Sequence, residues 1–397
     1  MARTQALTTI LPAALAAALL TGCDDKMFSR LDNTPPTASI VSPTDGAGVS
    51  GAAFRVDVDA QDDMTVAEVR FRVNGVLVDT DAEEPWSTTL VTLDQAEGGT
   101  LDLDVEAVDA SGNTATVSAS YTINARTLTQ LTNNPLADEN PAWSPDGSRI
   151  AFQSQNGSTQ YDLWVMDADG QNPAALTQDV NEDRNPAWSP DGTMIAFDSD
   201  RAGTFDIWLL PLAGGEPAAT PLTFGNLDDV QPAWSPGGTL VYFASDRGVG
   251  TSFNVWRQPA TGGGLAVQVT AFAEDDTAPA LSGDGARLAF ASRLNFSTDH
   301  IYTMFVGDVN VAPLTGDTGF TEADPAWLPG SRTVFFTRDD GVDSNLWFQA
   351  PGDEAVPVQA TFGSGSLGDG GAAWSPDGTR LAFHSDRTGN LEIYVIE

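Results

Sequence analysis

Hydrophobic and polar positions repeat along the C-terminal part of the chain in units of nearly constant length. The first unit contains Asn140–Phe152, with the sequence NPAWSPDGSRIAF, and five related stretches follow it. The anchor positions of these copies, separated by 45, 46, 47, 46 and 47 residues, are Trp143, Trp188, Trp234, Leu281, Trp327 and Trp374. A steady period of this length indicates a repeat architecture, in which neighbouring units bury one another's apolar faces.

The pattern within each unit predicts four strands. A short apolar run leads into a Pro-Asp-Gly turn, in which proline presets φ and glycine supplies a left-handed residue. The run after the turn alternates like a second strand, and it carries a phenylalanine five residues after each turn glycine or after the equivalent Gly330: Phe152, Phe197, Phe243, Phe290, Phe335 and Phe383. A third run contains another aromatic residue, and a fourth run ends at a threonine. Four strands in each repeat are typical of one blade of a β-propeller.

The threonine that ends the fourth run also indicates how the ring closes. Its occurrences are Thr132, Thr177, Thr223, Thr270, Thr315 and Thr361. The first of them precedes the first unit, and none follows the third strand of the sixth unit. We therefore expect Thr127–Thr132 to supply the outer strand of the sixth blade, so that both ends share one sheet and no long edge stays open.

Residues 35–125 show a different pattern of short alternating runs. These runs include Phe54–Asp59, Glu68–Val73, Leu101–Ala107 and Thr114–Ile123. An Asn-Gly pair at 74–75 is the signal of a two-residue hairpin turn. About seven short strands over this length predict a β-sandwich, with Trp86 in its core.

Both repeating patterns resemble known families. The propeller units are similar to those of the periplasmic TolB family, whose repeat reads approximately D-x-x-P-x-W-S-P-D-G-x-x-I-A-F-x-S. The stretches PPTASIVSPTDG, VRFRVNGVLV and AVDASGNTATV resemble bacterial immunoglobulin-like domains of secreted proteins. The resemblance implies an all-β chain, with an immunoglobulin-like β-sandwich as spacer or adhesive module at 35–125 and a six-bladed propeller at 126–397. The N-terminal α/β domain of TolB has no counterpart here, so the cellular role of TolB is not implied.

The N-terminus predicts export and anchoring. Arg3 and the apolar run Ile10–Leu20, which is too short to span a bilayer, are typical of a signal peptide at residues 1–22. The run ends in Leu-Thr-Gly-Cys, which resembles the bacterial lipobox and implies that Cys23 is lipidated. Residues 23–34 would then form a tether to a membrane of the bacterial cell envelope, on its periplasmic face or at the cell surface. A plain signal peptide with an incidental cysteine is the alternative.

The charge of the chain restricts its partners. The sequence has 55 acidic and 18 basic residues, for a formal net charge of −37. Nucleic-acid binding needs a basic face, so we expect no nucleic-acid partner. Cations and basic peptides are the ligands that such a field favours, although solubility alone also explains it. We expect a monomer whose only contact with a membrane is the lipid anchor.

Few residues suggest catalysis. The two histidines, His300 and His384, lie in different units without cysteine or glutamate at metal-ligand spacing, and no G-x-S-x-G motif occurs. The Asp-x-Asp-Gly stretch at 167–170 looks like part of a calcium loop but falls where a hairpin turn is expected. We therefore predict no catalytic residue and a non-enzymatic protein-binding or scaffolding module. A polysaccharide-binding or carbohydrate-active protein that uses the central channel is the alternative.

Two sets of charged residues are candidate contact sites. An acid stands three residues before the repeat's proline, or before Ala372 in the sixth unit, in each unit: Asp138, Asp183, Asp229, Asp276, Glu322 and Asp369. These acids either cap their own turns or form a channel-mouth ring for a basic peptide or a cation, of which Ca²⁺ is the candidate. The second set consists of the loop pairs Asp200-Arg201, Asp246-Arg247 and Asp386-Arg387. They form solvated or inter-blade ion pairs, or they contact a partner on the same face.

Overall fold

The computed structural model describes residues 32–157, 160–213, 218–248, 252–316, 319–350, 356–361 and 368–397. Every named element in these ranges is a β-strand, which confirms the all-β prediction. No helix in the described part of the chain has the length and apolarity needed to cross a membrane. The predicted signal peptide, Cys23 and most of the tether lie outside the described residues.

The N-terminal part forms the immunoglobulin-like β-sandwich. Its strands are β1 (Thr37–Ser42), β2 (Gly48–Val49), β3 (Ala53–Gln61), β4 (Val66–Val73), β5 (Val76–Asp81), β6 (Ser87–Val91), β7 (Thr100–Asp109) and β8 (Thr114–Ile123). One sheet has the order β1-β3-β6 and the other the order β2-β8-β7-β4-β5. The hairpin predicted at 74–75 joins Val73 to Val76, and Trp86 is 6% exposed in the core, as the alternation predicted.

The propeller begins at β9 (Leu128–Gln130) and consists of six four-stranded sheets. We call these sheets blades one to six in chain order. Blades one to three contain β10 (Asp138–Trp143), β11 (Arg149–Gln155), β12 (Tyr161–Asp167), β13 (Ala174–Ala175); β14 (Asp183–Trp188), β15 (Met194–Ser199), β16 (Asp206–Pro211), β17 (Thr220–Pro221); and β18 (Asp229–Trp234), β19 (Leu240–Ser245), β20 (Asn254–Pro259), β21 (Val267–Gln268).

Blades four to six follow the same order. Blades four and five contain β22 (Asp276–Leu281), β23 (Arg287–Ser292), β24 (His300–Phe305), β25 (Val311–Pro313); and β26 (Thr321–Trp327), β27 (Val334–Asp339), β28 (Ser344–Gln349), β29 (Val358–Gln359). Blade six contains β30 (Gly370–Trp374), β31 (Leu381–Ser385) and β32 (Glu392–Ile396), and its fourth strand is β9. Leu128 pairs with Ile396 and Gln130 with Tyr394, which confirms the predicted closure.

The anchor tryptophans tie neighbouring blades together. The indole N–H of Trp188 donates to the carbonyl of Ala142 at 3.1 Å, and that of Trp234 donates to the carbonyl of Ala187 at 3.1 Å. The same bond joins Trp143 of blade one to blade six across the closure, at 3.2 Å. These tryptophans therefore lie between two blades and also satisfy their own buried donors.

Blade five differs by one residue from the alignment that the sequence predicted. Counting five residues from Gly330 aligns Phe335 with the corresponding phenylalanines of the other blades. Phe336 pairs with Trp347 instead, and Arg338 stands opposite Glu322. In this blade the turn glycine lies one residue closer to the anchor tryptophan than in the other blades. The strand register relative to the anchor is unchanged, so an alignment counted from the glycine is shifted by one residue.

The immunoglobulin-like domain packs against the turn face of blades five and six. Ala52, Ala53 and Leu93 of the sandwich share one buried apolar cluster with propeller residues that include Leu328 and Leu381. The backbone N–H at position 52 donates to the carbonyl at position 379, in the turn of blade six, at 2.8 Å. The first strand of each blade, which we call the inner strand, runs from the region of its acid to the turn. The acids therefore lie at the end of the strand opposite the turns, on the face that we call the channel face.

Candidate functional site

The six predicted acids lie buried at the channel-face end of their inner strands. Each is at most 1% exposed: Asp138, Asp183, Asp229, Asp276, Glu322 and Asp369. None of them lines the central cavity between the blades. Their geometry is that of groups held inside the blades.

Blade two shows how its acid is held. Arg201 donates to both carboxylate oxygens of Asp183, at 2.8 and 2.7 Å, and its guanidinium lies 5.2 Å from the ring centre of Phe197 and 5.0 Å from that of Trp208. Asp200 accepts a hydrogen bond from the backbone N–H of residue 182 at 2.9 Å. The arginine is thus an internal counter-ion enclosed by aromatic rings. We call this arrangement the arginine clasp.

Blades three and six repeat the arginine clasp. Arg247 donates to Asp229, and Arg387 donates to both oxygens of Asp369 at 2.9 and 3.0 Å. Asp246 and Asp386 accept backbone N–H groups of residues 228 and 368, at 3.0 and 2.7 Å. In these blades the predicted loop contacts and the predicted acids therefore form one set of local ion pairs. The sequence contained the signal, because the arginine follows the acid by 18 residues in blades two, three and six.

Blade five makes the same contact with different residues. Arg338, the residue opposite Glu322 in the strand register, donates to Glu322 at 2.8 Å and lies 4.5 Å from the ring centre of Trp347. His300 of blade four lies 3.3 Å from the same carboxylate and stacks edge-on against Phe296. This predicted non-catalytic histidine is thus a buried partner of an ion pair.

Blades one and four have no clasp among the described residues. Asp138 accepts a hydrogen bond from the Asn134 amide at 2.7 Å, and burial raises the pKa of its carboxyl group to about 6. Burial likewise raises the pKa of Asp276 to about 6. The hydroxyls of Thr270 and Ser292 act against that rise, but neither makes a hydrogen bond of ordinary geometry to Asp276.

Two residues after each acid, the inner strand bends and lines the central cavity of about 190 Å³. The residues at the bend have φ between 50° and 62°, in the left-handed region: Asn140, Asn185, Gln231, Ala278, Asp324 and Gly371. The following position, a proline except at Ala372, completes the lining. Left-handed backbone at residues other than glycine is costly and is often found at functional sites.

A hydrogen-bond ladder fixes the bends of blades one to three. The Asn140 amide donates to Asn185 at 2.8 Å, and the Asn185 amide donates to Asp198 at 2.8 Å. Burial raises the pKa of Asp198 to about 6, against the opposing charge of Arg184. His384 accepts the backbone N–H of Asn140 at 3.2 Å, and burial lowers its pKa to about 4, so this ring is a neutral acceptor. The ladder holds the wall of the central cavity in place, and the side-chain amides of Asn140 and Asn185 already donate within it.

Among the described residues that line the cavity, Asp324 is the one with an ionisable side chain. Burial raises the pKa of its carboxyl group, and the negative charge of Glu139 raises it further. Glu139 itself accepts the hydroxyl of Tyr161 at 2.6 Å. The lining therefore carries one carboxyl group, which we call the acidic mouth of the cavity, two residues further along the strand than the sequence placed the acids. An ammonium or guanidinium group or a metal cation is the complement of its ionised form.

Two other acidic stretches bear on metal binding. The stretch at 167–170 is a hairpin turn, in which the backbone N–H of Gln171 donates to Asp169 at 3.0 Å, as the sequence favoured. In the described residues, Asp32, Asp62 and Asp63 of the immunoglobulin-like domain bring carboxylate oxygens within 4.8 Å of one another. The sequence did not single out this group, because its members are not adjacent in any known ligand spacing.

Comparison with known families agrees with these two parts of the chain. A family model described as a TolB beta propeller domain (PD40) matches residues 113–267, and one described as a bacterial Ig domain (Big_7) matches residues 36–133. A protein TolB homolog of Chlorobium luteolum is 28% identical over 135 residues, which are 34% of this chain and 29% of that protein. The chain thus covers less than a third of the length of this relative.

Solved structures show the same fold at low identity. A TolB-like protein of Agrobacterium tumefaciens superposes with a TM-score of 0.55 and 21% identity, covering 68% of this chain and 96% of that one. TolB of Acinetobacter baumannii gives 0.52 and 16%, covering 86% and 82%. A gluconolactonase of Xanthomonas campestris gives 0.50 and 11%, covering 68% and 89%. Since binding proteins and enzymes share this fold, the fold alone does not decide the function.

Proposed function

We propose that the protein is a non-enzymatic binding module of the bacterial cell envelope. The proposal starts from the TolB-type β-propeller domain and the bacterial immunoglobulin domain that this chain carries. The propeller binds a protein partner, and the immunoglobulin-like domain positions it as a spacer. Lipidation of Cys23 and a tether at residues 23–34 attach the protein to a membrane. The resemblance of the propeller to periplasmic TolB supports the compartment.

The acidic mouth of the central cavity supports binding of a basic segment. Asp324 is an ionisable lining residue with no arginine clasp, and the charge of Glu139 adds to its field. The acids that the sequence put forward are neutralised in blades two, three, five and six by their own arginines, so they leave little charge for a partner. We therefore place the contact with a lysine, an arginine or an amino terminus of the partner at Asp324.

The lining of the cavity argues against glycoside hydrolysis. That reaction requires two carboxyl groups at a defined separation across the bond that breaks. The lining supplies the single carboxyl group of Asp324, surrounded by prolines, amides and small side chains. A bound Ca²⁺ ion would compete with the basic segment for the same carboxylate, because calcium prefers oxygen ligands.

The test is affinity capture from native envelope extracts with wild type, Asp324→Asn and the control Asp169→Asn, followed by mass spectrometry. Asp169 is an exposed acid on the turn face, so its substitution makes the same change in net charge away from the cavity. We expect a salt-sensitive partner that is retained by the control and lost, or weakened at least tenfold, with Asp324→Asn.

Retention of the same partners by Asp324→Asn would reject the cavity as the contact site. If all three proteins capture only what a control column carrying an unrelated protein also captures, the binding function itself is rejected. Addition of millimolar Ca²⁺ to the wild-type capture tests whether the ion competes with the basic segment of the partner. Loss of the partner when Ca²⁺ is added is the result expected if both bind the carboxylate of Asp324.

A further inference from the structure

Blade four has an acid without the counter-ion that most other blades supply. Asp276 is fully buried, and both of its carboxylate oxygens are without a hydrogen-bond partner among the described residues. In blades two, three and six an arginine stands two residues after the serine that faces the acid in the strand register. In blade four that position is Leu294, which packs against the apolar cluster of the blade.

The neighbouring arginine cannot replace the missing one. Arg293 precedes Leu294 in sequence, but it lies at the surface, 52% exposed, and pairs with Asp299 at 3.1 Å. Asp275, next to Asp276, raises the pKa of Asp276 through its negative charge and accepts the backbone N–H of Phe253 at 2.8 Å. Asp275 thus adds negative charge beside Asp276, and neither Leu294 nor Arg293 supplies a guanidinium that pairs with it.

A second buried polar group points to the same place. The hydroxyl of Tyr302 is shielded from solvent and makes no hydrogen bond of ordinary geometry among the described residues. Burial raises its pKa, the side chain of Asn295 lowers it, and the negative charge of Asp276 raises it. Tyr302 pairs with Phe290 across the strands, and this aromatic pair is the counterpart of Phe197 and Trp208, which hold the guanidinium in blade two.

Buried polar atoms are nearly always satisfied in folded proteins, by protein groups, by water or by ions. The oxygens around this position belong to one carboxylate and to hydroxyls of Thr270, Ser292 and Tyr302. Oxygen ligands of this kind suit hard cations such as Na⁺ and Ca²⁺. The aromatic pair adds a face that attracts positive charge, as it does in the clasped blades.

We propose that blade four binds an inorganic cation at Asp276, in the position where an arginine guanidinium neutralises the corresponding acid of blades two, three and six. The hydroxyls of Thr270, Ser292 and Tyr302 complete the set of oxygen ligands. A single carboxylate ligand matches a monovalent ion, and Na⁺ is therefore the first candidate. The site is independent of the central cavity and of the partner proposed for it.

The experiment compares the melting temperature of four full-length proteins in choline chloride and in NaCl, KCl or CaCl₂ at pH 8, where the carboxyl group is ionised. Ionic strength is held constant, because screening alone stabilises a chain of this net charge. The proteins are wild type, Asp276→Asn, Leu294→Arg and the control Asp138→Asn. The control makes the same change at another buried acid without a clasp, whose carboxylate the Asn134 amide already contacts.

We expect one of these ions to raise the melting temperature of the wild type by about 2–4 °C, because an ion that binds only the folded state stabilises it by mass action. The control should show the same rise. Asp276→Asn should lose the rise, because it removes the charge that binds the ion. Leu294→Arg should also lose it while melting at least as high as the ion-bound wild type, because it supplies the guanidinium in cis.

Two outcomes contradict the proposal. If no ion raises the melting temperature of the wild type above that in choline chloride, then blade four holds no inorganic cation. If Asp276→Asn keeps the full rise, the ion binds elsewhere on the acidic surface. If Leu294→Arg fails to fold, Asp276→Asn and the control still decide between these results.

Discussion

Substitution of Asp138 by asparagine should stabilise the protein at neutral pH, because this buried acid at the closure of the ring has no arginine clasp. Glu392 of blade six lies beside it and raises its pKa after burial, while hydroxyls and the Asn134 amide act in the opposite direction. Asp138→Asn keeps an oxygen that can accept the Asn134 amide and removes the charge. The change therefore separates the cost of ionisation from the loss of a hydrogen bond.

The pKa gives both the sign and the size of the effect. It is raised from 3.8 to about 6 in the folded state, so the folded protein binds more protons than the unfolded chain between these values. The stabilisation that the protonated form provides is complete below about pH 4 and is lost as the pH rises through 6. A difference of about two pKa units corresponds to about 3 kcal/mol in the free energy of unfolding.

The assay is denaturant unfolding of wild type and Asp138→Asn at intervals between pH 4 and pH 8. We expect similar stability at pH 4 and an advantage for the variant that grows to about 1–3 kcal/mol above pH 6. Asp169→Asn, an exposed acid in a hairpin turn, should leave the pH dependence unchanged. A variant that is less stable than the wild type at every pH would refute this reasoning, because it would mean that the ionised carboxylate stabilises the closure.

Three further predictions follow from the clasp, the closure and the anchor. Arg201→Met should lower the free energy of unfolding by about 3–5 kcal/mol, because it leaves Asp183 buried and unpaired, and Arg201→Met/Asp183→Leu should recover part of that loss in the same assay. Deletion of residues 126–132 should abolish cooperative thermal unfolding, because it removes β9 and exposes the edge of β32; a melting curve like that of the full chain would contradict the closure. Cys23→Ser should move the expressed protein from the detergent phase to the aqueous phase in a phase-partition assay, since the sequence contains no other thiol.

The repeat could be predicted from sequence because its signals are local and recur. Proline and glycine mark each turn, apolar residues alternate within each strand, and a fixed period counts the units. The closure was also predictable, since the threonine motif occurs once before the first unit. The arginine clasp was not predicted, although each half of it was noticed. Pairing Arg201 with Asp183 requires the strand register, which brings residues 18 positions apart together, and turn residues do not reveal it.

The residues that line the cavity were not the ones that the sequence put forward. The six acids were expected either to cap their own turns or to form a ring at the channel mouth, and the sequence pattern cannot tell whether a carboxylate points at the cavity or at an arginine. The left-handed bend decides this, because it turns the residue two positions later toward the cavity. At that position five blades have amides, alanine or glycine, so the single acid at Asp324 did not stand out as part of a repeat. A comparison that looks for residues shared by all six repeats does not find a residue that occurs in only one of them.

The contacts between the two domains lie on the turn face of the propeller. Gly51 has φ of 92° and approaches the turn of blade six so closely that a Cβ atom would lie 2.7 Å from the carbonyl oxygen of Thr379. Arg126, in the connection to β9, donates to backbone carbonyls of the sandwich, one of them Gln95 at 2.9 Å. The domain therefore holds the closing strand and the turn of blade six at once, which a loosely attached spacer would not do. Among the described residues, these contacts therefore lie at the opposite end of the inner strands from the six acids, and they do not involve Asp324 in the cavity.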